Sequence, residues 1–211
     1  LGLVRLVSFD DWATEVPPSN EGGALSAVLK SDLLRLIGIM VGITAVVAAI
    51  ADVQFNQMAD RIFHTKDDKT SFFGSFFAYL NIFAFLFQLV VTPRILRSLG
   101  VGAALIFLPF GMAAGSIGIL VLPGLLGGIA VKVGDVGFRH SIHKSATEIL
   151  YLPIPSALKK RTKVFLDTTV ENLATGLGAV FILILTGLGV SYANLSFLSL
   201  ALISMWVFLL V

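Results

Sequence analysis

The sequence predicts an all-α, polytopic membrane protein with about six transmembrane helices, and three observations lead there. Hydrophobic side chains make up 56% of the 211 residues and charged ones 13%, against roughly 25% charge in a soluble domain. The mean hydropathy is +0.93. Apolar stretches of about 20 residues, the length that crosses a bilayer, take up most of the chain and leave no room for a separate soluble domain.

Composition also excludes function classes. The chain has no Cys, which removes disulfides, thiolate nucleophiles and Cys-ligated metals together. The 17 Phe and 20 Gly suit lipid-facing bulk and close helix packing. The pI near 9.0 rests on a formal charge of only +2, so it points to basic loops on one membrane face and to no nucleic-acid partner.

Taken in order, residues 1–32 form a cytoplasmic connector and residues 33–211 a six-helix membrane domain. Leu1–Ser8 reads as the tail of a preceding span, and the chain stops inside the apolar run Leu195–Val211, so the whole reads as a fragment. Phe9–Lys30 holds Asp10, Asp11, Glu15 and Glu21 among Pro17, Pro18, Gly22 and Gly23, a polar linking segment. Ser31 and Asp32 supply N-cap chemistry for a first span over 33–57. After the polar loop Asp60–Thr70, a second span over 72–91 is stopped by Thr92-Pro93, and Arg94–Arg97 makes a basic turn into an antiparallel third span. Leu99–Arg139 is too long for one helix at ~1.5 Å per residue, so it divides into spans over 99–117 and 121–141. The bend falls near Ser116–Pro123, with Pro123 in the first turn of the next helix. An amphipathic connector, His143–Arg161, leads to spans over 163–188 and 192–211.

Lys and Arg concentrate on one side: Lys30, Arg35, Arg94, Arg97, Lys144, Lys159, Lys160, Arg161 and Lys163, against Arg61, Lys66 and Lys69 on the other. That side is cytoplasmic by the positive-inside rule, so the fragment's N-terminal side and the end of the last helix face the cytoplasm, in a bacterial inner membrane.

The fourth span carries the sharpest chemical signal. Lys132, Asp135 and Arg139 stand three and four residues apart, on one helical face, with Lys132 near mid-membrane. An ionisable group there costs about 2.5–3.5 kcal/mol on insertion scales, so it faces protein, a partner charge or water. The alternatives are a solute or gating role and an internal Lys132–Asp135 or Asp135–Arg139 pair that only fixes packing. The fifth span begins with Lys163, Asp167, Glu171 and Thr175 on one face, beside Thr168 and Asn172. Arg139 reaches the depth of Asp167 or Glu171, an inter-helix pair suited to a cytoplasmic gate, although acids in a first turn also simply favour the helix dipole. Asp52, near Gln54, Asn56 and Gln57, and Asn81, near Tyr79 and Gln88, are candidates to line a polar pathway, with interhelical hydrogen bonding the alternative for the amides.

Other motifs carry less. His64, His140 and His143 lack metal-ligand spacing, so no metal is expected. Gly111…Gly115 and Gly124…Gly128 have the small-xxx-small spacing of close helix contact. With no phosphate-binding glycine loop and no nucleophile, base and acid arrangement, neither an enzyme nor a cofactor is expected.

The connector Phe138–Pro155 and the following Lys159–Asp167 carry a resemblance. They are similar to the nucleotide-translocase (ATP/ADP carrier) family of plastids and intracellular bacteria, and more closely to its bacterial relatives in the major facilitator superfamily. The second half of those carriers has an Arg-x-Ser segment, a Thr-x-Glu-x-x-Tyr-x-Pro turn and a Lys-x-x-x-Asp helix start. This chain has Arg139-His140-Ser141, then Thr147-Glu148 with Tyr151 and Pro153, then Lys163 and Asp167; Thr147 adjoins Glu148 instead of standing one residue away. Asp52–Asn56 and Pro93–Gly100 also look like that half, and the likeness covers roughly Leu33–Val190. Where the family carries an Arg and often a Lys after the Asp of the fifth span, this chain has Asn172 and Thr175.

The resemblance implies the C-terminal six-helix half of a major-facilitator-type bundle, a secondary transporter that rocks about a central site and moves an organic anion or nucleotide, with Lys132 and Arg139 as the cations for it. Its partners would be membrane lipid, the missing N-terminal six-helix half and the small anionic solute. The alternative is a non-transporting membrane anchor or regulatory module of a larger protein.

Overall fold

The structure is a computed structural model that describes residues 23–122 and 124–210. The expected connector up to residue 22 and the expected place of Pro123 lie outside those residues. Seven helices in sequence make up the described chain, and no strand occurs among the described residues. They are α1 (Ala24–Lys30), α2 (Asp32–Asp60), α3 (Lys66–Val90), α4 (Thr92–Val121), α5, α6 (Ser156–Gly187) and α7 (Tyr192–Leu210). α5 is helical from Leu125 to Leu150, as α-helix over Leu125–Lys132 and Lys144–Leu150 and wider π-helix over Val133–Gly137 and Arg139–His143. α6 likewise widens to π-helix over Phe165–Val170.

Five of these, α2, α3, α4, α6 and α7, are long and apolar enough to cross a membrane. The expected fourth span, 121–141, coincides with α5, which is not among the five. Its charged side chains interrupt the apolar run, and they do so on the inside of the protein. The expected amphipathic connector after His143 is instead mostly helix: α5 continues to Leu150, a tight turn follows, and α6 begins at Ser156.

Helix ends follow local chemistry. The Ser31 hydroxyl accepts the Leu34 N–H at 3.4 Å, and the Thr65 hydroxyl accepts the Asp68 N–H at 3.1 Å, each meeting a donor that the first turn leaves unpaired. Asp67 and Asp68 in that turn add a favourable charge to the α3 dipole. The second span stops where expected, α3 ending at Val90, and Pro93 sits in the first turn of α4, where its missing N–H costs nothing. The expected basic turn over Arg94–Arg97 is therefore helical, and the chain leaves helical geometry at Gly100, with φ +79°. Only glycine takes that conformation without a steric cost.

α2 is the interior helix: 61% of its apolar stretch is buried, against 11% in α3 and in α6. It packs against α5, α6 and α7, with Leu34, Ile37, Ile50 and Phe55 fully enclosed. α4 and α5 meet along small residues. Gly111 lies on Gly134 and Phe138, and a Cβ at Gly115 would strike the Val131 backbone, so the expected packing role of Gly111 and Gly115 is what the structure has. Gly128 similarly abuts Phe55 and Met58. α7 closes the bundle over α4 and α2 with the buried Trp206.

Candidate functional site

The central feature is a line of alternating charge. The Lys132 ammonium lies 2.5 Å from Asp52 and 3.1 Å from Asp135, and Asp135 also accepts from Arg139. Lys132 and Asp135 are each 3% exposed, whereas the Asp52 side chain at one end of the line is 55% exposed. Three- and four-residue spacing on α5 sets the Lys132–Asp135 and Asp135–Arg139 contacts. Asp52 comes from α2, brought alongside by the close approach of Gly128 to Phe55. Four charges of alternating sign, two buried, one half-buried and one exposed, thus neutralise one another, the arrangement that makes ionised groups tolerable in low dielectric.

α5 is π-helical around both Asp135 and Arg139, and α6 is π-helical around Asp167. Such wide turns are rare and gather at functional sites. Gly134 and Gly137 lie in the first of them and remove side chains from the crowded α4 and α3 contacts. Ser141, Ser145 and Thr147 return their hydroxyls to carbonyls one turn back, at 3.0 Å for Ser145 and 2.9 Å for Thr147, which meets polar groups within the helix.

Beyond Arg139 the line opens into a cavity of about 230 Å³ between α2, α5 and α6. Arg139, His140, His143 and Lys144 form its α5 wall; Lys163, Asp167 and Glu171 form its α6 wall. Val41, Thr44 and Ala45 of α2 are its floor, and Thr147, Glu148 and Tyr151 close the end at the α5–α6 turn. Lys163 pairs with Glu148 across that turn, with Lys159 at 3.9 Å from the same carboxylate. Asp167, Glu171 and Lys144 make no ion pair among the described residues.

Three polar atoms on residues lining this cavity are buried without a hydrogen-bond partner: Arg139 Nε, His143 Nδ1 and the Tyr151 hydroxyl. The His143 ring stands edge-on to Trp206 at 5.7 Å. Burial, and then the nearby Asp167 and Glu148, push the Tyr151 hydroxyl well above the usual tyrosine range, so it is a neutral donor at physiological pH.

The residues expected from sequence divide clearly. Asp52, Lys132, Asp135 and Arg139 come together, and Arg139, Asp167 and Glu171 share the cavity. The expected Arg139 pair with Asp167 or Glu171 is not made: Arg139 has its carboxylate within its own helix, one turn away, and the cavity separates the walls. Asn81 is not part of the site. It is exposed on α3, as is Gln88, and α3 buries only Leu80 and Ala84. Gln54, by contrast, takes the structural role open to an amide, donating at 2.8 Å to the Tyr192 carbonyl and to the Ser196 hydroxyl of α7. Tyr151 and the Lys163–Glu148 pair were not singled out by spacing, although Tyr151 between Glu148 and Pro153 marks the turn that brings them together. No group of His, Asp and Glu suited to a metal occurs among the described residues. No protein-family model, no curated protein and no solved structure matches the chain.

Proposed function

We propose that this chain is the second six-helix half of a secondary transporter that moves a small organic anion by alternating access, with the charge line as its core and the cavity as its cytoplasmic solute chamber. The observation that carries the reading is the Asp52–Lys132–Asp135–Arg139 line inside a bundle of membrane-length helices, running from an exposed carboxylate to a polar cavity. Ionisable groups inside a membrane bundle mark substrate or ion paths by default. In this reading α5 is the fourth span and completes the six, its polarity turned inward. In the same reading the cavity opens to the cytoplasmic side of a bacterial inner membrane, and the basic residues around its mouth support that orientation.

On this reading the missing half would pack on the outside of α3 and α6. Asn81 and Gln88 on α3, and Thr168, Asn172 and Thr175 on α6, are exposed polar groups on helices otherwise suited to lipid. A partner bundle meets their hydrogen-bonding needs, and lipid does not. A solute path between the halves would run past them.

A membrane anchor is the second reading, favoured by the neutrality of the charge line, which has a complete partner set without any solute. Flux separates the two. The intact protein in proteoliposomes, loaded with labelled dicarboxylates, amino acids and nucleotides in turn, is expected to exchange at least one of them. Lys132→Ala is expected to reduce that exchange to background while the protein remains folded, because Asp135 keeps Arg139 and Asp52 keeps its water. No exchange of any solute, with Lys132→Ala changing only the melting temperature, overturns the transporter in favour of the anchor.

A further inference from the structure

We propose that the cavity between α5 and α6 takes a small zwitterion of amino-acid type, its carboxylate toward Arg139, Lys144 and Tyr151 and its ammonium toward Asp167 and Glu171. This rests on the transporter reading and narrows its solute.

The walls of the cavity differ in sign once internal pairs are set aside. Lys163 is occupied by Glu148, and Arg139 gives one face of its guanidinium to Asp135. What remains on the α6 wall is acidic, Asp167 and Glu171, without ion-pair partners among the described residues. What remains opposite and at the closed end is the Lys144 ammonium, the buried Nε of Arg139 and the hydroxyl of Tyr151, a side chain only 1% exposed, beside the His140 and His143 rings, the latter with its Nδ1 buried and unpartnered. The hydroxyls of Thr44 and Thr147 already donate to Met40 and His143 carbonyls, at 2.7 and 2.9 Å, so they do not blur this division.

Each simpler ligand fails on one wall. A plain carboxylate or phosphate would satisfy the donors and lie against two carboxylates in a half-buried space, where like charges repel strongly. A plain amine would suit Asp167 and Glu171 and leave Arg139 Nε and the Tyr151 hydroxyl unmet, an outcome that buried polar groups avoid. A molecule with both groups meets both walls. A cavity of about 230 Å³ also holds a solute of few heavy atoms, and a nucleotide brings several negative charges to the acidic wall.

The test is binding to the intact protein in detergent, by calorimetry and thermal shift, of the common amino acids, each measured against its des-amino acid and its decarboxylated amine, with succinate and ATP alongside. At least one amino acid is expected to bind tenfold or more tightly than both of its truncated analogues. Glu171→Gln is expected to remove the preference over the des-amino acid, and Asp167→Asn to do the same; both positions lie at the cavity and not in the core, so folding is spared. Equal binding of an amino acid and its des-amino analogue, or binding of succinate or ATP alone, overturns the zwitterion and leaves the anion carrier standing. Binding of none of these, in a protein that also shows no flux, overturns both.

Discussion

Lys132 and Asp135 occupy the middle of the charge line, and the ends of the line are the residues that can reach water. This fixes the order in which its members matter. Removing Asp135 leaves Lys132 with Asp52 but strands Arg139, whose side chain is 23% exposed; removing Lys132 strands only Asp52, which is 55% exposed. Breaking a buried pair by deleting one partner costs about 3–5 kcal/mol, so Asp135→Ala is expected near the lower end of that range. Asp52→Ala is expected to cost about 1 kcal/mol or less, as for other solvated ion pairs. Thermal unfolding of the three alanine variants checks the ranking Asp135, Lys132, Asp52; an equal loss in all three would mean that Asp52 is not at the solvated end. The α5 part of the line is legible in the sequence because three- and four-residue spacing is a local property of a helix. The partnership with Asp52 is not, since it depends on which helices are neighbours, and spacing likewise gives no reason for Arg139 to prefer its own helix over Asp167 or Glu171.

At the scale of elements, the α4–α5 seam shows what small residues do and where their absence of a side chain counts. A Cβ at Gly115 meets the Val131 backbone, whereas at Gly118 its nearest neighbour is the Ala130 Cβ at 3.8 Å, an ordinary contact. Gly115→Ala is expected to destabilise by about 1–3 kcal/mol, the usual cost of overpacking. Gly118→Ala is expected to be neutral or to gain up to about 1 kcal/mol of helix propensity. Melting temperatures of the two variants make the comparison, and equal losses would overturn the close contact at Gly115. The small-xxx-small spacing announces this seam in advance. Gly100 is less visible, because Pro93 marks the boundary between α3 and α4 and nothing comparable announces the second break seven residues onward, inside α4. The π-helical turns have no sequence signal in the helical period, since the same residues fit an α-helix.

Over the described residues the molecule is an all-α bundle with an enclosed α2 and two helices, α3 and α6, that bury little. Low charge makes that class readable from composition, and the lengths and places of the apolar runs make most of the helix order readable from the sequence. They do not tell which faces of α3 and α6 meet lipid, because hydropathy averages around a helix and exposure does not. Asn172 and Leu183 are both exposed on α6, yet the transporter reading sets Asn172 on the watery path between the halves and Leu183 in lipid. The chain has no cysteine of its own, so single cysteines report cleanly within it. Asn172→Cys in proteoliposomes is expected to react with a membrane-impermeant maleimide, and Leu183→Cys to stay unlabelled. Protection of both would place α6 wholly in lipid and remove the partner surface.

The π-helical segments of α5 and α6 lie beside Arg139 and Asp167, on the two helices that carry the cavity's opposed charges. A π turn holds one residue more than an α turn, and that residue is slack wound into the rod. Were either segment to tighten to α geometry, everything beyond it would screw round by about 100°, one residue's arc in a 3.6-residue turn, and slide along the axis by about 1.5 Å. A charge on the cavity wall would then swing away from its opposite number without any helix tilting or melting, a rotary adjustment that on the transporter reading would act alongside any rocking of one half against the other.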